Sequence, residues 1–323
     1  MPANDELMTN VSQKKTPIAL FVYNRPEHAR LALESLSRCE RLDECSLRIY
    51  CDGPKGDADA AGVAAAREVA RDWAERLGAG VIERETNLGL ARSIVTGVTE
   101  LCESHGRVVV LEDDFVLNPS FLDYMLDALE RYADETSVYQ ISGYMFPVAH
   151  AEKPAAFFLP LTTTWGWATW ARAWRIFDWD AADAVEKLSD PKLRRSFDLD
   201  GSYPYSSMLE QRLRNENDSW GILFWWAVFK AGGLALHPRE SLVWVGGFDQ
   251  SGTHCGDAAW SVPQSRESIT GRKHSRFELP SAAEPDLAAY KRIKKFLKKE
   301  QYPTSITGRL WRKVEQYATA VRH

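Results

Sequence analysis

The chain has 323 residues, enough for one large domain or two modest ones, and its 45% hydrophobic and 26% charged residues are typical of a globular protein. The formal net charge of −5 gives no reason to expect a nucleic-acid partner, and no apolar run is long enough to predict a transmembrane helix. Five cysteines without a CxxC pair favour reduced thiols in a cytoplasmic protein, and residues 1–15 predict a flexible lead because they lack the apolar core of a signal peptide.

Residues 16–145 alternate between strand and helix patterns. Short apolar runs predict strands, which in chain order lie at 17–23, 47–52, 80–85 and 107–112. Apolar residues at helical spacing predict helices, which in chain order lie at 26–38, 58–77, 89–104 and 119–133. Such alternation predicts an α/β fold in which helices cover both faces of a mostly parallel central sheet. Ligands of such sheets bind at the carboxyl ends of the strands.

Residues 146–280 lack this alternation and predict a mixed second half that packs on the same sheet. The aromatic segment 165–174 is expected to be partly helical, and 206–233 predicts two helices. The runs "LALHP" and "SLVWVGG" predict short strands. Three tryptophans of the aromatic segment suit either a buried core or a platform for acceptor sugar rings: Trp165, Trp167 and Trp170.

An acidic triplet stands at the end of the fourth predicted strand. The residues at 108–111 run directly into Glu112, Asp113 and Asp114. Adjacent carboxylates repel each other, and their burial costs solvation, so a bound divalent cation would offset both penalties. Mg²⁺ and Mn²⁺ prefer such oxygen ligands. Alternation along an extended backbone would place Glu112 and Asp114 on one face, and we expect Asp114 to be the ligand. The alternative is that these acids cap the next helix or are solvated.

Other polar residues end the neighbouring predicted strands. Asn24 and Arg25 follow the first strand, Asp52 the second and Asn87 the third, so all are expected on one rim. The planar fork of Arg25 suits a phosphate, but a surface ion pair is the alternative. Asp52 can accept hydrogen bonds from a nucleotide base, or it can be a turn residue before the Gly-Pro pair. No GxGxxG motif follows the first strand and no GxxxxGK[ST] motif occurs, so neither a dinucleotide fingerprint nor a P-loop is supported.

Five segments, in this order along the chain, resemble nucleotide-sugar glycosyltransferases. The segments "FVYNRPEHARLALESL" and "VVVLEDDFVLNPSFLDYM" resemble the Golgi N-acetylglucosaminyltransferases that extend mannose on N-glycans. The segments "WGWATWARAW", "DSWGILFWW" and "GFDQSGTHC" resemble bacterial glycosyltransferases of surface-polysaccharide gene clusters. The resemblance covers most of residues 17–257 and implies the GT-A fold, which is Rossmann-like.

The resemblance implies that residues 16–145 bind the nucleotide-sugar donor. Asp52 would contact the uracil of a UDP-sugar, and Arg25 would lie near the diphosphate. Asn24 and Asn87, on the same rim, would complete the donor-binding residues.

The resemblance also implies a metal site. Asp113 and Asp114 would form the end of a DxD-type motif, with Asp114 on Mn²⁺ or Mg²⁺, although this sequence has Glu112-Asp113-Asp114 in place of a literal DxD. His254 falls in a loop where GT-A enzymes supply another metal ligand. A structural or surface histidine is the alternative.

Asp218, in "NDSW", falls where the inverting members place the general base. Partial burial beside Trp220 would raise its pKa toward a useful range. A helix N-cap is the alternative role for Asp218, and Glu216 is the rival base. If the enzyme retains configuration, this assignment fails.

These features predict a metal-dependent, inverting glycosyltransferase that moves a sugar from a UDP-sugar to a growing surface glycan or lipid-linked glycan. Residues 281–323 predict a basic helical tail, which would either dock on an anionic membrane surface at the cytoplasmic face of a bacterial membrane or be solvated. The alternatives are a retaining transferase, a GDP- or dTDP-sugar donor, a nucleotidyltransferase, and a glycan-binding module that needs neither nucleotide nor metal.

Overall fold

The computed structural model describes residues 15–148, 155–246, 265–271 and 277–301. The strands of this part of the chain are β1 (Thr16–Val22), β2 (Cys45–Cys51), β3 (Gly80–Glu83), β4 (Arg107–Glu112), β5 (Phe115–Leu117), β6 (Val138–Ser142), β7 (Ala156–Leu159), β8 (Trp167–Trp170), β9 (Leu234–Pro238) and β10 (Val243–Val245). The helices are α1 (Pro26–Leu36), α2 (Asp57–Leu77), α3 (Leu90–His105), α4 (Phe121–Arg131), α5 (Ala171–Trp174), α6 (Ala184–Lys187), α7 (Pro191–Phe197), α8 (Tyr205–Leu213), α9 (Trp220–Lys230), α10 (Arg266–Thr270) and α11 (Leu287–Gln301), with a 3₁₀ turn at Leu42–Glu44.

Eight of these strands form one sheet, in the order β3-β2-β1-β4-β8-β6-β9-β7. The strands β3, β2, β1 and β4 are parallel, as are β6 and β9, whereas β8 and β7 run antiparallel to their neighbours. The short strands β5 and β10 pair separately and antiparallel. The predicted α/β fold, with a mostly parallel sheet, flanking helices and a mixed second half, is therefore confirmed.

Strand β1 is apolar throughout because both faces of the sheet are covered. Ile18 and Leu20 pack into the core on one face, with α1 and α2. Phe21 packs into the core on the other face, with α3. Alternate residues of a strand point to opposite faces, so a strand with two covered faces needs apolar residues at every position.

Segment 165–174 is partly helical, as predicted. A helix forms there, but it is short, and it follows the strand β8, which lies between β4 and β6. Trp167 faces one core, whereas Ala168 and Trp170 face the other. This two-residue period is that of a strand buried on both faces, and this strand was not predicted.

Helix α11 forms where the helical spacing of the tail predicted it. Its inner face buries Ala289, Ile293 and Leu297 against the core. Its outer face exposes lysines at helical spacing, namely Lys291, Lys295, Lys298 and Lys299. None of the helices in the described ranges is both long and apolar enough to span a bilayer. Contact of the lysines with an anionic membrane surface stays a prediction.

Candidate functional site

Parallel neighbouring strands bring the predicted polar residues to one edge of the sheet. Phe21 of β1 lies opposite Glu112 of β4, and Val22 of β1 lies opposite Cys51 of β2. All three strands run the same way, so the residues that follow them must emerge together. The sheet rule applied to the sequence therefore placed these side chains correctly.

A cleft of about 580 Å³ opens at this edge, a volume typical of sites for small ligands. The predicted site residues of the described part of the chain all border it: Asn24, Arg25, Asp52, Asn87, Asp113, Asp114 and Asp218. Glu112 borders it as well. The predicted ligand His254 lies outside the described residues.

The acidic triplet is held in a fixed turn. Asp113 and Asp114 lie between β4 and β5, and β5 is paired with β10 through Phe115 and Val245. The Gly246 N–H donates a 2.7 Å hydrogen bond to the Asp114 carbonyl oxygen. The expectation that extended backbone would alternate these side chains is wrong, because the backbone turns here and lets one guanidinium contact both aspartates.

That guanidinium belongs to Arg25, the residue just before α1. Its Nη2 is hydrogen-bonded to Asp113 Oδ1 and lies 3.3 Å from Asp114 Oδ2. The backbone N–H of Tyr23 donates to Asp113 Oδ2 at 3.2 Å. Asp113 therefore accepts hydrogen bonds from two donors of the loop that follows β1. Arg25 thus forms an ion pair, which was the alternative to phosphate binding. The ion pair uses only one nitrogen of the guanidinium, Nη2.

Asp114 is a buried carboxylate with one oxygen left without a partner in the described part of the chain. It is 9% exposed, and that oxygen is Oδ1. Burial, and then the charge of Asp113, raise the pKa of Asp114 to about 6. Burial and the two aspartates also raise the pKa of Glu112. Arg25 is one positive charge beside three carboxyl groups, so the triplet fits a divalent cation.

The carboxylates would share such a cation with other ligands. In the described ranges, no group of three His, Cys, Asp or Glu side chains is arranged to hold a metal ion. Mg²⁺ and Mn²⁺ in phosphate-binding sites take one or two carboxylates, and substrate phosphates and water supply the rest. Asp114 fits that pattern better than a closed, all-protein metal site.

We expect Mn²⁺ to raise the unfolding temperature more at about pH 7.5 than at about pH 5, because a carboxyl group must be deprotonated to bind metal. The pKa of Asp114 rises from 3.8 to about 6 on folding, so ionising it costs stability as the pH rises through that window. Mn²⁺ would offset this cost only where Asp114 is charged. Thermal unfolding with and without Mn²⁺ at both pH values tests this. Equal stabilisation at both would contradict Asp114 as the ligand.

Asp52 organises the loop beside the triplet. Its carboxylate accepts hydrogen bonds from the backbone N–H groups of Gly53 (3.0 Å), Leu88 (2.9 Å) and Gly89 (2.9 Å). Asn87 Nδ2 donates to the Gly53 carbonyl oxygen at 2.8 Å. The turn role is thus observed for Asp52. The Leu88 N–H also lies 3.2 Å from the second carboxylate oxygen, so three donors share the two oxygens of a side chain that borders the cleft.

The loop after β2 and the loop after β3 approach each other so closely that residue 53 must be glycine. A Cβ atom at Gly53 would lie 2.5 Å from the carbonyl carbon of Thr86, so no larger residue fits without moving the loop. The Gly-Pro pair after Asp52 therefore keeps Asn87 within reach of the cleft.

Asp218 lies in the loop before α9 and is exposed. The expectation of partial burial is therefore wrong, and so is the N-cap alternative, because Ser219 occupies the N-cap position. Asp218 borders the cleft, whereas Glu216 does not. Glu216 pairs with Arg214 at 2.7 and 2.9 Å, and those hydrogen bonds lower its pKa. Asp218 is thus better placed than its rival to act on a ligand in the cleft.

Of the three tryptophans predicted to form either a buried core or a platform for sugar rings, two lie in the cores and one borders the cleft. Trp167 and Trp170 are buried in the cores, and Trp170 Nε1 donates to the Leu129 carbonyl oxygen at 3.0 Å. Trp165 is half-buried and borders the cleft.

Sequence reasoning missed other cleft residues: Tyr23, Lys55, Asp59, Tyr203, Tyr205, Trp225 and Leu297. Lys55 lies in the loop after β2, and Asp59 lies in the first turn of α2. The rule that ligands bind at the carboxyl ends of strands could therefore have identified both. Leu297 comes from α11, far along the chain, and no sequence signal placed it here.

Three solved structures resemble this one weakly. TarS of S. aureus aligns over 51% of this chain and 30% of its own, with 14% identity and a TM-score of 0.35. GalNAc-T7, solved with UDP, GalNAc and Mn²⁺, aligns over 71% and 43%, with 9% identity and a TM-score of 0.44. Mouse xyloside xylosyltransferase 1 aligns over 43% and 54%, with 16% identity and a TM-score of 0.25.

The aligned part spans about a third to a half of the chains of these three proteins. The likeness concerns the fold and assigns neither a substrate nor a residue role. The sequence matches no protein-family model and no curated protein.

Proposed function

We propose that this protein is a metal-dependent glycosyltransferase that transfers a sugar from a UDP-sugar to a hydroxyl group of a surface glycan, with inversion of configuration. One observation carries the proposal. Loops that follow β1, β2, β3 and β4 border one cleft of ligand size. They bring to it a phosphate-binding type of arginine and a buried carboxylate oxygen of Asp114 that has no partner among the described residues. A glycan-binding module would have no use for that pair.

The proposed role of each residue follows from its position in the cleft. Asp52 accepts a hydrogen bond from the base, and Arg25 binds the diphosphate with the donors of its fork that face away from Asp113. Asp114, with Asp113 and Glu112 beside it, holds Mn²⁺ or Mg²⁺. The bound cation supplies charge that stabilises the leaving diphosphate. The sequence resemblance supports UDP as the nucleotide, and GalNAc-T7 binds UDP with Mn²⁺.

Asp218 is the proposed general base. It takes the proton of the acceptor hydroxyl, whose oxygen forms a bond to the anomeric carbon of the donor sugar. The bond from that carbon to the diphosphate breaks, and the nucleoside diphosphate leaves with both electrons. Arg25 favours this departure because its charge meets the charge that develops on the leaving group.

Titration calorimetry of UDP, GDP and dTDP, each with and without Mn²⁺, tests the proposal. We expect UDP to bind at least ten-fold more tightly with Mn²⁺ than without, and more tightly than the other two nucleotides, because Asp52 reads the base and Asp114 binds through the cation. Tight binding of GDP or dTDP instead would keep the class and change the donor. No binding of any nucleotide to folded protein would overturn the proposal and favour the glycan-binding module.

A further inference from the structure

A second cleft, of about 640 Å³, shares Asp218 and Gly89 with the first. Arg92 in the first turn of α3, Trp179 in the loop after α5 and Arg212 near the end of α8 form much of its wall. Asp218 borders both clefts, so a hydroxyl group that enters from the second cleft can meet the carboxylate proposed to take its proton.

Two arginines in this cleft are held on one aromatic ring. The guanidinium carbon of Arg92 lies 5.2 Å from the ring centroid of Trp179, and that of Arg212 lies 4.9 Å from it. Contact with an aromatic face fixes a guanidinium and leaves the N–H groups at its edge able to bind an anion. Trp179 is itself half-buried against Phe177 and the core, so the ring is a firm support.

Within the described part of the chain, Arg92 and Arg212 form no ion pair, and the buried Nε of Arg212 has no hydrogen-bond partner. Arg214, two residues further on, is by contrast paired with Glu216 at 2.7 Å. Glu216 also lines the second cleft, but Arg214 holds it, and Glu210 is held by Arg194 in the same way. Among the described residues, Asp218 is thus the remaining carboxylate in the wall of this cleft, beside the two arginines.

We propose that this second cleft binds the acceptor, and that Arg92 and Arg212 recognise an anionic group on it, either a sugar carboxylate or a phosphodiester. Both anions present paired oxygens that match the guanidinium fork. The role as acceptor cleft rests on the proposed function, whereas the binding of an anionic glycan does not. The acceptor class is therefore an acidic glycan.

Calorimetry with three probes tests the proposal: trigalacturonate, a glycerol-phosphate trimer and neutral chitotriose. We expect at least one anionic probe to bind about ten-fold more tightly than chitotriose, since one charge-assisted hydrogen bond accounts for such a factor. The anionic probe that binds more tightly identifies the anion. Arg92→Gln and Arg212→Gln should each weaken that binding about ten-fold. Arg76→Gln is the matched control, because Arg76 lies over Trp73 at 5.2 Å and borders neither cleft.

Binding of UDP with Mn²⁺ is measured on the same proteins and should be unchanged in all three variants. Loss of nucleotide binding in Arg92→Gln and Arg212→Gln would assign the arginines to the donor and overturn the proposal. Equal binding of chitotriose, no binding of either anionic probe, or unchanged binding in the variants would also overturn it. Wild-type protein that binds an anionic probe through these arginines but binds no nucleotide would uphold the anion site while the proposed transferase fails.

Discussion

Replacing Asp114 with asparagine is expected to lower the rate of sugar transfer on the order of 10³-fold and to abolish the Mn²⁺-dependent part of nucleotide binding. The substitution keeps the size and shape of the side chain. It removes the negative charge from a group whose Oδ1 is buried without a hydrogen-bond partner in the described structure. The cation would lose its main protein ligand, and the leaving diphosphate would lose the charge that stabilises it.

The same substitution should not destabilise the metal-free fold. Burial and Asp113 raise the pKa of Asp114 to about 6, so at neutral pH its ionised form is held against an unfavourable environment. Removing that charge relieves repulsion, and the free energy of unfolding should stay constant or rise. Activity and stability therefore move independently or in opposite directions, which a purely structural role for Asp114 would not produce.

Nucleotide release during turnover, calorimetry and thermal unfolding measure the three quantities. Asp72→Asn serves as the control, because Asp72 is an exposed acid on α2 outside the cleft. Wild-type activity in Asp114→Asn would refute the metal role. A fall in activity that merely followed a fall in stability would assign Asp114 to the fold instead.

The sequence predicted the parallel half of the fold well because its signals are local. Strand β4 has the predicted bounds, and β1 lies within one residue of them. Each of these strands is a single apolar run with a helix after it, and parallel strands must end at one edge. That topology alone was enough to bring Arg25, Asp52 and Asp114 together.

Features that depend on distant neighbours could not be predicted. Strand β8 is a strand because β4 and β6 flank it, although its aromatic residues also suit a helix. The turn at Asp113 depends on the pairing of β5 with β10, residues about 130 positions apart. The exposure of Asp218 likewise reflects how the loop before α9 meets the rest of the protein.

The second cleft could not be predicted from the sequence either. Arg92, Trp179 and Arg212 come from three separate elements and form no sequence motif. None of the three residues alone indicates a binding site. Both arginines contact the ring of Trp179, and neither forms an ion pair in the described structure; these two observations together indicate an anion site.

Replacing Asp218 with asparagine is expected to lower the rate of transfer by 10²- to 10⁴-fold, the usual range for the loss of a general base. Asparagine cannot take the proton of the acceptor hydroxyl, but it keeps the shape of the cleft wall. Binding of UDP with Mn²⁺ should be unchanged, because the donor contacts lie at the ends of β1, β2 and β4. The fold should also persist, because Asp218 is exposed and is not the N-cap of α9.

Glu216→Gln tests the rival base, since Glu216 lies two residues away, is held by Arg214 and borders the second cleft but not the first. Its transfer rate should stay within a few-fold of the wild-type rate. If Glu216→Gln loses the rate and Asp218→Asn keeps it, the base is Glu216. If Asp218→Asn loses donor binding in proportion to its rate, Asp218 positions the donor. If the product of the wild-type enzyme retains the configuration of the donor, then no base is needed at that position, and the exposed carboxylate between the two clefts must serve the acceptor in another way.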